Sequence, residues 1–221
     1  MSKRRVALDV ATCAMMSAML TAVKLALSWI PNVEVVSVLI VIFALGFGLR
    51  RTLIAVNCFI LTEIMLYPAH IWILCYFIHW NTLATVVYFV GKIKENSILL
   101  GIVVAFLTFL FGVSTTTFEV LIGNSIYSFW KAFAIRYAAG TWYFVAHIVC
   151  NFLTVSILTP ILLPVVRKHL KPLLFGEKKD EPKAVDTKQT EENEESPTAE
   201  SDKVDVSETE TDDSNTTTDI N

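Results

Sequence analysis

Glu63, His79 and His147 are the side chains of this sequence with the clearest capacity for proton or metal chemistry, and each sits inside an apolar run. Carboxylates and imidazoles held within a membrane act as metal ligands or proton relays. Their spacing argues against catalysis here. No His-Glu-x-x-His pair, Gly-x-Ser-x-Gly elbow or phosphate-binding glycine loop occurs. Cys13, Cys58, Cys75 and Cys150 lie singly in apolar runs, as small buried hydrophobes do. The chain is therefore expected not to be an enzyme and to need no cofactor or metal. Binding is the chemistry that the spacing supports. Trp72, Tyr76 and His79 or Trp80 recur at helical spacing, as do Tyr143, His147 and Asn151. Two stripes that mix aromatic faces with a few directional polar groups suit the walls of a pocket for a flat, polar small molecule. Aromatic belts at the membrane surface account equally well for Trp29, Tyr67, Trp72 and Trp142.

The elements that must position these residues are apolar runs. Of the 221 residues, 54% are hydrophobic and mean hydropathy is +0.55, which places the chain among membrane proteins. Polar breaks divide the runs into six expected spans: about Val6 to Ile30, Val35 to Phe47, Thr52 to Leu66, Ile71 to Val90, Ile98 to about Val113 with continuation toward Gly123 left open, and Thr141 to Val165. A polar connector from Ser114 to Gly140 is expected between the last two. Spans two and three fall short of about 30 Å of hydrocarbon at about 1.5 Å per residue, so neighbouring helices must shield them. The first run follows Lys3-Arg4-Arg5 like a secretory signal, but it is too long and has no small-residue cleavage site in the expected place. It is expected to stay as a membrane span.

Lysine and arginine set the orientation. Lys3, Arg4, Arg5, Arg50, Arg51, Lys92, Lys94, Arg167, Lys168 and Lys171 all fall on one side of a six-span topology, which makes that side and both termini cytoplasmic. Glu63, the Tyr76–Asn81 stretch and His147 then lie in the outer half, as a pocket open to the outside requires. Residues 1–175 form the membrane domain. Residues 176–221 are rich in Glu, Asp, Ser and Thr and poor in large apolar residues, so they are expected to form a disordered acidic cytoplasmic tail.

The first span carries one more pattern. Ala7, Ala11, Ala14, Ala18 and Ala22 fall on one face at about 100° per residue, and small residues at such spacing let membrane helices approach closely. The Ala14-x-x-x-Ala18-x-x-x-Ala22 pattern comes first in a series. It is followed by the turn Pro31-Asn32-Val33-Glu34, a short apolar span running into Gly46-Phe47-Gly48, and Ala139-Gly140 ahead of His147-x-x-x-Asn151. Together these resemble the substrate-binding S components of energy-coupling factor (ECF) vitamin transporters, over about Val6 to Lys171. The resemblance implies an all-α, six-transmembrane-helix bundle in the cell membrane that captures a vitamin-like micronutrient at the extracellular face. It implies as partners a transmembrane coupling subunit and two cytoplasmic ATPases, and delivery by toppling in the bilayer. Carried over, Ala14, Ala18 and Ala22 dock the coupling subunit. The turn holding Asn32 and Glu34 closes over the site, and His147 and Asn151 contribute to it. With Glu63, Tyr76, His79 and Trp80 these complete the expected substrate-binding set.

Two other functions fit the same residues. A proton-coupled secondary carrier would use Glu63, Glu119 and the histidines, and an MreD-like scaffold of the cell envelope would use the outer helix faces. The charge of the ligand stays open, because Lys24, Lys131 and Arg136 suit an anion whereas Glu34, Glu63 and Glu119 suit a cation.

Overall fold

A computed structural model describes residues 3–30, 35–67, 71–123, 126–170 and 172. The described residues are all-helical: α1 (Lys3–Leu27), α2 (Val36–Phe47), α3 (Leu49–Leu66), α4 (Ile71–Ile93), α5 (Ser97–Ile122) and α6 (Phe129–Val165), followed by a π-helical turn at Val166–Leu170. Four stretches are long and apolar enough to cross a membrane: Lys3–Leu27, Ile73–Ile93, Ser97–Ile122 and Phe129–Leu170. That is consistent with a membrane protein. The acidic segment 176–221 lies outside the described residues.

The short helix α2 is the centre of the packing. Every residue from Val36 to Phe47 except Leu45 is buried, and α1, α3, α4 and α6 all pack against it. Its 12 residues, about 18 Å at about 1.5 Å per residue, are too few to cross about 30 Å of hydrocarbon alone, and the four neighbouring helices enclose them. A single residue, Gly48, joins α2 to α3 at φ 91°, a conformation that costs an L side chain energy.

Polar ties hold α1 against α3. Arg51 lies 2.8 Å from Asp9, the Thr21 and Thr62 hydroxyls are 3.0 Å apart, and Lys24 lies 2.9 Å from Glu63. Asn57 and Asn81 exchange amide hydrogen bonds of 3.0 and 3.3 Å between α3 and α4. The α5 N-terminus is capped by Asn96, whose side chain accepts from the Ile98 and Leu99 amides.

The expected polar connector is mostly helix. α5 continues through Ser114–Thr117 to Ile122, and α6 begins at Phe129. Ser114, Thr115, Thr116 and Thr117 each donate a hydroxyl proton to the carbonyl four residues earlier, so these polar residues need no loop to satisfy them. An aromatic ladder, Phe129–Phe133–Tyr137–Phe144, carries α6 through the same region. At 37 residues, or roughly 55 Å at about 1.5 Å per residue, α6 exceeds the thickness of the hydrocarbon layer.

Candidate functional site

The C-terminal ends of α1 and α3 and the N-terminal end of α4 bring together Lys24, Glu63 and Tyr76. Lys24 Nζ is 2.9 Å from Glu63 Oε2, donates to Tyr76 Oη at 2.8 Å, and lies 4.1 Å from the centre of the Tyr76 ring. Glu63 is fully buried. A carboxylate and an ammonium at such depth persist because each neutralises the other.

Phe111 of α5 links this pair to the rest of the cluster. Its ring centroid lies 5.7 Å from that of Tyr76, 4.7 Å from His79 and 6.1 Å from His147, while His79 also meets Trp80 at 4.6 Å. One turn beyond His147 on α6, Asn151 Nδ2 donates to Thr108 Oγ1 of α5 at 2.9 Å. The cluster therefore draws on α1, α3, α4, α5 and α6. Tyr76, His79, Trp80, His147, Asn151 and Glu63 are all buried. Among the described residues, Trp80 Nε1, Asn151 Oδ1 and Glu63 Oε1 make no hydrogen bond. Directional polar atoms set among aromatic faces can orient a planar polar molecule.

The six expected site residues on α3, α4 and α6 thus share one neighbourhood. Tyr143 does not join them: it is 53% exposed although it lies one turn before His147. Trp29 and Trp142, at 90% and 77% exposure, also face outward, as belt residues do. Asn32, Glu34 and the Trp72 side chain lie outside the described residues. Phe111 and Thr108 were not singled out by the sequence. Phe111 is one of 14 phenylalanines and carries no signal of its own, whereas Thr108 is a lone hydroxyl in the apolar stretch from Gly101 to Gly112. Among the described residues no group of three or more His, Cys, Asp or Glu is gathered as metal ligands.

The alanine stripe stands apart from this cluster. Ala7, Ala11, Ala14, Ala18 and Ala22 are exposed, while Thr12, Cys13, Met16, Ser17 and Leu20 form the buried face of α1. Ala14 also lines a cleft of about 1120 Å³ beside Val10, Cys13, Gly48, Arg50 and Cys58, at the end of α1 remote from Lys24. None of the cluster residues lines this cleft. No family model, curated protein or solved structure matches the chain, so its function rests on the chemistry of this site.

Proposed function

We propose that this chain is the substrate-binding S component of an ECF-type importer. It captures a vitamin-like micronutrient in the Tyr76–His79–Trp80–Phe111–His147–Asn151 cluster and delivers it with a transmembrane coupling subunit and two cytoplasmic ATPases. In this reading six helices cross the membrane, both termini are cytoplasmic, and the cluster opens toward the outside. The observation that carries it is the buried cluster itself. Among the described residues, polar atoms without hydrogen-bond partners, Trp80 Nε1 and Asn151 Oδ1, belong to a cluster of aromatic rings, as suits a binding site for a small planar molecule. The exposed alanine face of α1 supports the partner side of the proposal, because small residues let a second helix pack closely.

The deciding experiment separates capture from transport. Protein purified from membranes is expected to carry a small molecule detectable by mass spectrometry. Ala14→Trp and Ala18→Trp are expected to keep that ligand while losing uptake in cells supplying the coupling subunit and ATPases. Uptake that survives both substitutions removes the stripe from the coupling surface.

The Lys24–Glu63 pair favours one other reading, a proton-coupled carrier, since buried ionisable pairs serve as proton relays. That alternative requires the isolated protein to accumulate substrate in vesicles under a proton gradient with no ATPase partner.

A further inference from the structure

Trp80 and Asn151 are both 0% exposed, and the hydrogen bonds around them determine what each lacks. Thr108 Oγ1 lies 2.8 Å from the Val104 carbonyl and 2.9 Å from Asn151 Nδ2. Its hydroxyl donates to the carbonyl and accepts from the amide. In this arrangement the Asn151 amide presents Nδ2 to Thr108. Among the described residues Asn151 Oδ1 is an acceptor without a donor, and Trp80 Nε1 is a donor without an acceptor. Among the described residues Lys24 and Glu63 pair with each other at 2.9 Å, so a charged ligand would bring a further charge into an apolar, aromatic site.

We infer that the substrate is an uncharged planar heteroaromatic molecule that offers a hydrogen-bond acceptor to Trp80 Nε1 and an N–H or O–H donor to Asn151 Oδ1. This rests on the proposed role of the cluster as a substrate site. The ring stacks among the aromatic faces gathered at Phe111, and the two orphaned atoms set its orientation. Trp80 and Asn151 are then the residues that determine specificity, while Lys24 and Glu63 hold the site neutral.

The test uses the full chain in nanodiscs. Any molecule retained through purification is extracted and identified by mass spectrometry. Calorimetric titration then compares neutral probes that have both a donor and an acceptor (nicotinamide, hypoxanthine and lumichrome) with nicotinate and 1-methylnicotinamide, the charged relatives of the first. The retained molecule or a neutral probe is expected to bind, with its charged relatives at least about tenfold weaker. Trp80→Phe and Asn151→Leu are each expected to weaken that binding by about tenfold. Should Asn151→Leu fail to fold, Thr108→Val carries the same test, because it leaves Asn151 in place but frees its amide to flip. A permanently charged retained ligand, or affinity unchanged in the variants, overturns this inference and leaves the proposed importer role standing. Binding of no molecule from either source overturns both and assigns the orphaned atoms to ordered water.

Discussion

Lys24 is the residue on which the polar network of α1, α3 and α4 depends, because it serves Glu63 and Tyr76 at once. Its replacement tests whether the pair behaves as a buried ion pair. Lys24→Met leaves the fully buried Glu63 carboxylate without its counter-charge, which is expected to cost about 3–5 kcal/mol. The double variant Lys24→Met/Glu63→Leu is expected to recover most of that loss, since two apolar groups replace two charges. Thermal unfolding of the detergent-solubilised protein measures both, and a double variant as unstable as the single one would sink the idea. Each charge was visible in the sequence as an isolated ionisable residue in an apolar run. Their pairing was not, because Lys24 was as suited to an anionic ligand as Glu63 was to a cationic one, and only the packing of α1 on α3 brings them together.

Among the helices, α5 and α6 form the most extensively packed pair, and glycine makes their approach possible. A Cβ on Gly101 would collide with Ser156 Oγ and come within 3.1 Å of the Phe152 backbone carbonyl, which cannot move aside. Gly101→Val is expected to destabilise the protein by about 1–3 kcal/mol through overpacking. A Cβ on Gly140 would meet the Phe144 ring at 2.8 Å, where a side chain can shift, and alanine favours helix over glycine. Gly140→Ala is therefore expected to be close to neutral. Chemical unfolding of the two variants side by side gives the comparison, and equal losses would show that Phe144 is as rigid as backbone. The same pair shows why the Ser114–Gly140 segment looked like a connector. Ser, Thr, Gly, Lys and Arg there interrupt the apolar pattern, but hydroxyl bonds to preceding carbonyls and stacked rings keep the chain helical.

For the whole molecule, the bias of Lys and Arg yields a sided prediction for the proposed six-crossing topology. In a cysteine-free background, Lys131→Cys is expected to react with an impermeant maleimide in intact cells and Lys94→Cys only after permeabilisation; labelling of both from one side would reduce the number of crossings. Lys94 and Lys131 are both exposed, so reaction at either reports sidedness rather than burial. The sequence by itself determined helices apolar enough for a membrane among the described residues, because long apolar runs state their solvent residue by residue. It also marked the stripes on α4 and α6, since helical period fixes which residues share a face. Only the tertiary structure decided which faces meet: α2 enclosed at the centre, Lys24 against Glu63, Asn57 against Asn81, Asn151 against Thr108 beside Phe111, and the alanines turned outward. The physical reason is that period sets direction within one helix, whereas the identity of a partner depends on crossing positions and depths that arise only when several helices pack at once.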